Sequence, residues 1–224
     1  MALLADTTVL LGKELRTEFR SRELLTTTVV FILIVIVLFS FTFDPTSDES
    51  RRFGSGLLWL AFLFASSLML QPCFLREQQN DTLSALRLAV DEPFAIFLAK
   101  LTANTVFLLL AELVLLPFFA LMYNVPVLRV LHWLALVFFL GSLGISVVGT
   151  ALSAVSAQAR MRELLLPLLL LPLLTPILVA STEVTKGLLD REPFMQWKGV
   201  VILAVFDLVF LTALWLFSEY LLEE

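Results

Sequence analysis

Charge is scarce in this sequence. Only 16% of its 224 residues are Asp, Glu, Lys or Arg, where soluble domains carry about 25%. Cys73 is its one cysteine, His132 its one histidine, and it has eight glycines. A lone cysteine excludes a disulfide framework and any paired-cysteine metal or redox motif. The 15 Lys and Arg are outnumbered by 20 Asp and Glu, for a net charge of −5. A nucleic-acid partner would require a basic stripe instead. HExxH, a Ser–His pair and a GxGD-like acid are all missing, so no intramembrane hydrolase is indicated. The only Gly-Lys pair, Gly12-Lys13, lacks the earlier glycine and is followed by Glu14. Without a phosphate-cradling loop the chain is not expected to be an enzyme by itself, and any ATP would be bound by another subunit.

What is abundant is apolar. Hydrophobic residues make up 59% of the chain and the mean hydropathy is +0.96. A helix needs roughly 20 apolar residues to cross the hydrocarbon core. Residues 24–43, 53–75 and 164–182 form uninterrupted runs, 130–159 is a longer one, and 94–122 and 199–222 are broken only by isolated charges. The expectation is an all-α polytopic membrane protein forming a single domain over 1–224. Its six spans fall at about 24–43, 54–75, 94–122, 130–156, 164–182 and 199–221. Runs of this length exclude a β-barrel, whose strands alternate over about ten residues.

Lys13, Arg16, Arg20 and Arg22 precede the first span with no small-residue cleavage site after it, so that span is read as an anchor. With the N-terminus inside, nine basic residues are cytoplasmic and six, Arg51, Arg52, Arg129, Lys186, Arg191 and Lys198, are outside. Both termini are then cytoplasmic. Leu11, Leu15 and Phe19 share one face of the leading segment, which predicts an interfacial helix over about 7–23.

The polar insert "REQQNDTLSALRLAVDEP" falls between two long apolar runs. Leu83, Leu86 and Val90 repeat at helical spacing, Asp81 or Thr82 can cap the start, and Pro93 ends it. This predicts a short cytoplasmic helix over about 81–92. It would either float on the lipid surface or dock into a soluble partner, and its few basic residues favour docking. Thr82, Leu83, Leu86, Arg87 and Val90 are the candidate docking residues.

Glu112 and Asp207 are costly inside spans, about 2.5–3.5 kcal/mol each at a helix centre, and should face the bundle or a cavity. Their depths roughly match. They are expected to couple spans 3 and 6, sharing a proton or bonding Asn104, Thr105 or Thr212, or simply to hold the bundle together. Pro167, Pro172 and Pro176 should kink or interrupt span 5, as a hinge or as tolerated prolines. Ser142, Ser146, Thr150 and Ala154 recur every four residues in span 4 and allow close approach, within the subunit in preference to a dimer seam. Segment 183–198 can dip back into the outer leaflet. His132 beside Trp133 is read as an interfacial residue in preference to a haem ligand.

Three stretches, "LLGKELRTEFRSRELL", "ALRLAVDEPFAIFLAKLTANTVFLLLAELVLLPFF" and "ARMRELLLPLLLLPLLTPILVAS", resemble the haem exporter B (CcmB) family over nearly the whole chain. The resemblance implies an ABC exporter (ABC-2-like) permease of bacterial cytochrome c maturation, in the cytoplasmic (inner) membrane and paired as a homodimer. It implies a separate ATPase subunit, CcmA, which would grip the 81–92 helix. It also implies the haem-handling subunits CcmC and CcmD and the haem chaperone CcmE. On that reading the chain holds no cofactor, partners handle the haem, and the permease releases the haem-loaded chaperone or moves haem-related cargo. The alternatives are a proton-coupled carrier working through Glu112 and Asp207, and a structural scaffold of the same complex.

Overall fold

The computed structural model describes residues 2–42, 48–79, 82–123, 127–157, 159, 162–190 and 194–221. Among them every regular element is a helix: α1 (Ala2–Ser21), α2 (Glu23–Thr42), α3 (Asp48–Leu70), α4 (Pro72–Gln79), α5 (Leu83–Ala89), α6 (Phe94–Tyr123), α7 (Val127–Ala157), α8 (Arg162–Leu188) and α9 (Trp197–Leu221). Five stretches are long and apolar enough to span a membrane, the first being Phe53–Gln78, which runs from α3 through α4. The α1–α2 pair meets the same standard only when taken together, across a 63° bend.

That bend is made by one residue. Arg22 has φ 55°, the left-handed conformation that side-chain-bearing residues rarely adopt. Its N–H still reaches the Glu18 carbonyl at 2.7 Å, and its own carbonyl accepts from the Thr26 N–H at 3.0 Å. The first donors of α2 would be orphaned at such a break. Glu18 Oε1 takes two of them, the N–H groups of Leu24 (2.9 Å) and Leu25 (3.3 Å). The join between α3 and α4 is gentler. Gln71 N–H bonds back to the Ser67 carbonyl at 3.2 Å, and Pro72 opens α4, where a missing donor costs nothing.

Four of the expected elements differ in extent. The interfacial helix begins earlier and stops at Ser21. Its Leu11 and Leu15 pack partly on the chain's own core, and Phe19 meets Phe107 edge-on at 5.7 Å. The stripe therefore faces α6 and α2, although Phe19 is 53% exposed, and Leu4 and Val9 are exposed as well. Span 5 ends six residues later than expected, and α8 runs through Pro167, Pro172 and Pro176 without interruption. Segment 183–198 accordingly starts as helix, with Leu188 and Leu189 buried and Phe194 N–H on the Gly187 carbonyl at 3.1 Å. The 81–92 helix is shorter, as described below. Asp81, the alternative cap, and Arg160 and Arg191, counted for orientation, lie outside the described residues.

The main core joins α2, α3, α6, α7, α8 and α9. Trp59, fully buried, donates Nε1–H to Thr185 Oγ1 at 3.0 Å and lies edge-on to Phe62 and Phe138. One side chain thereby ties α3 to α8 and α7. Along α7, Ser142, Ser146, Thr150 and Ala154 are all buried within the subunit, as the small-residue spacing suggested. A second core, of Phe74, Ile96, Phe97, Leu101, Val147, Ala154 and Leu214, fills the end of the bundle where α1, α4 and α5 meet.

Candidate functional site

The α5 end carries six charged side chains drawn from three elements: Lys13, Glu14 and Glu18 of α1, Arg76 and Glu77 of α4, and Lys100 of α6. Three are basic and three acidic, so the group is neutral. Lys100, near the start of a membrane span, is only 3% exposed. Its Nζ lies 3.0 Å from Glu77 Oε1 and 3.1 Å from Glu14 Oε1, and donates to the Cys73 carbonyl at 2.6 Å. The cation also stands 5.1 Å over the Phe74 ring, within cation–π range. Lys13 reaches the same Glu77 oxygen at 2.8 Å, and Arg76 lies 3.6 Å from Glu18 Oε2. Asn104, one turn above Lys100, donates to Thr150 Oγ1 at 3.1 Å and to Cys73 Sγ at 3.3 Å. A cavity of about 30 Å³ remains among these groups, room for a water molecule.

Burial separates the strong contacts from the weak. Lys13 is about half exposed, so its pairs are worth little. Lys100 and Glu77 are both nearly enclosed, and each satisfies the other where water cannot. The network therefore has one buried centre, Lys100–Glu77, that fixes α6 to α4, with α1 attached through Glu14.

The short helix α5 lies against this apparatus. Leu83, Leu86 and Val90, each half-buried, pack against the second core beside Leu10 of α1, so the chain itself covers part of this apolar face. The outward residues are Thr82, Ser84, Ala85, Leu88 and Ala89, and Leu88 is 90% exposed. Arg87 is half-buried. The helix has seven residues because Val90 turns to extended backbone, φ −113° and ψ 145°. Beyond it the Asp91 N–H donates to Asp6 Oδ2 of α1 at 3.3 Å. Thr82 does not cap α5 with its side chain. Its hydroxyl and its N–H both donate to the Glu77 carbonyl, at 3.3 and 2.9 Å, which binds the start of α5 to α4.

Glu112 and Asp207 are both buried, as expected of acids in spans, but each rests on α7. Ser142 Oγ donates to Glu112 Oε1 at 2.6 Å. A Cβ placed on Gly144 would lie 2.5 Å from Asp207 Oδ1. Two residues apart on a helix is about 200° of rotation, so the acids occupy opposite sides of α7, which stands between them. The expected partners are engaged elsewhere: Thr105 with the Leu101 carbonyl, Thr212 with the Leu208 carbonyl, and Asn104 as above. His132 is exposed beside Trp133, whose ring meets Trp197 edge-on at 5.6 Å.

The charge network had a readable signal that sequence reasoning passed over. Lys100 within an apolar run demands a counter-charge. Glu14 and Glu18, one turn apart amid the basic residues of α1, were available to supply it.

Helices long enough to span a membrane, a bent amphipathic leader and a short polar helix between spans define an all-α, multi-pass membrane protein. The particular family follows from comparison: the description "CcmB protein" matches residues 5–218, and the chain belongs to that family. It is 32% identical over 185 residues to heme exporter protein B of Pseudomonas aeruginosa, covering 83% of this chain and 82% of that one. The heme exporter protein B of Rhodobacter capsulatus is 31% identical over 195 residues, covering 85% and 89%. That of Escherichia coli is 34% identical over 91 residues, or 41% of each chain.

Proposed function

We propose that this chain is the membrane-spanning permease subunit of an ABC-type haem export complex acting in cytochrome c maturation, and that it carries ATP-driven motion from a separate ATPase subunit into the bundle. In this reading the α5 end faces the cytoplasm of a bacterial inner-membrane protein, with both termini on that side. The permease works as a homodimer beside CcmC- and CcmD-like subunits, and its motion releases the haem-loaded chaperone or moves haem-related cargo. ATP and haem are held by the partners.

One observation carries the reading. The helix α5 presents an exposed leucine outward while its inner face, Thr82 and the residues after Val90 are fastened to α1 and α4. A push on Leu88 therefore reaches Lys100 and α6 through the packed contacts of α5 and the ion pairs of α1 and α4. The carrier alternative gains no support from acids separated by α7. A scaffold would tolerate a hydrolysis-dead ATPase, whereas the proposed permease fails with one.

The test is co-purification from membranes with ATPase activity as the readout. Leu88→Asp is expected to lose the ATPase while leaving the melting temperature of the permease unchanged. Leu86→Asp is expected to lower that temperature, because it places a charge in the second core. Retention of a fully active ATPase by the Leu88→Asp protein would overturn the docking surface.

A further inference from the structure

We propose that the groove between α6 and α7 at Glu112 is a lipid-accessible binding site for a small apolar molecule that carries one hydroxyl group. The groove encloses about 350 Å³, at the lower end of the range for small-molecule sites. Leu109, Leu113 and Leu116 of α6 face Leu131, Leu134 and Phe138 of α7 across it, and Glu112 is the one polar side chain among the lining residues. Leu134 and Phe138 are buried, while Leu113 (67%) and Leu131 (42%) are exposed at the mouth. The space therefore opens sideways from the bundle, toward lipid.

Glu112 supplies the recognition. The residue is 3% exposed, its Oε1 accepts from Ser142, and its Oε2 has no hydrogen-bond partner among the described residues. A buried acceptor left unsatisfied costs about 1–3 kcal/mol, a cost that a hydroxyl entering the groove would remove. The cation of the α5 end shows the contrast, with two carboxylates and a carbonyl around it. Asp207, whose oxygens are likewise unpartnered among the described residues, lies against Gly144 of α7, whereas Glu112 lines an open space.

The chemistry of the walls narrows the occupant. A plain acyl chain has no donor for Oε2. A helix is about 10 Å across with its backbone donors already used, too wide and too poor in donors for this space. A molecule with a hydrocarbon body and a single terminal hydroxyl matches both the walls and the acid. This site is independent of the cytoplasmic apparatus and stands whether or not α5 docks an ATPase.

The experiment uses the purified complex in lipid nanodiscs and the apolar reagent dicyclohexylcarbodiimide. The Glu112 carboxyl adds across one C=N bond of the reagent. Its proton passes to nitrogen and nothing leaves, so the adduct is read by peptide mass. Labelling is expected at Glu112 and absent in Glu112→Gln. Ala135→Phe, which fills the groove from its exposed rim and leaves Glu112 intact, should also abolish it. Decanol should suppress labelling about tenfold at concentrations where decane leaves it unchanged, the factor that one hydrogen bond of about 1.4 kcal/mol supplies. The proposal is overturned by an unlabelled Glu112, by equal protection from alkane and alcohol, or by full labelling of Ala135→Phe. Labelling that appears only once the neighbouring subunits are stripped away would also refute it, by showing that protein covers the groove.

Discussion

Lys100→Met is the most informative single change to the charge network at the α5 end. The substitution keeps the length and packing of the side chain over Phe74 and deletes only the charge. It leaves Glu77, 4% exposed, with the half-exposed Lys13 as its remaining cation, frees the Cys73 carbonyl, and tips the six-charge group to a net −1. Breaking a buried pair from one side costs about 3–5 kcal/mol, because the remaining charge stays desolvated. At about 2–4 °C per kcal/mol for a chain of this size, the melting temperature should fall on the order of 10 °C. Lys100→Met combined with Glu77→Gln restores neutrality, and exchanging a whole buried pair for uncharged groups is often near neutral. The double variant should therefore recover most of the loss, with a coupling of about 0.5–3 kcal/mol in the mutant cycle. The assay is thermal unfolding of the four proteins in one detergent, followed by tryptophan fluorescence. A Lys100→Met protein as stable as wild type, or a double variant no better than the single, would refute the reasoning.

Arg22→Gly should raise the melting temperature slightly, since glycine adopts positive φ freely and the left-handed conformation costs other residues about 1–2 kcal/mol; Arg22→Val should lower it. Gly141→Ala should destabilise by about 1–3 kcal/mol, measured by the same unfolding, because its methyl would enter the ring of Trp59, which the bond to Thr185 holds in place. Glu18→Gln keeps an acceptor for Leu24 and Leu25 and should be milder than Glu18→Ala, which orphans the first turn of α2; helical content near the bend, read by hydrogen exchange at those amides, would show the difference.

How much of this was legible depends on whether a feature is local. Long apolar runs have one physical outcome in a membrane, so each span was legible to within a few residues at most ends, and the buried state of Glu112 and Asp207 followed from their cost. The partners were not legible. Lys100 meets residues 86 positions earlier and 27 earlier, and no periodicity reports such distances. The contacts of α5 were illegible for the same reason: Leu83, Leu86 and Val90 announce an apolar stripe, but that part of it packs beside Leu10 depends on where α1 returns. The end of span 5 was set too early because Glu183 and Lys186 look like solvent residues, although Val184 and Thr185 between them are buried and carry α8 onward.

The helix α7 packs on α3, α4, α6, α8 and α9. Its glycines at 141, 144 and 149 admit Trp59, Asp207 and Leu70 so closely that a methyl group would collide. A rod gripped this tightly by unlike neighbours has no free direction in which to slide. Under the proposed function it would be the fixed element of the subunit, and the helices that the charge network joins, α1, α4 and the near half of α6, with α5 packed against them, would move against it as one lever.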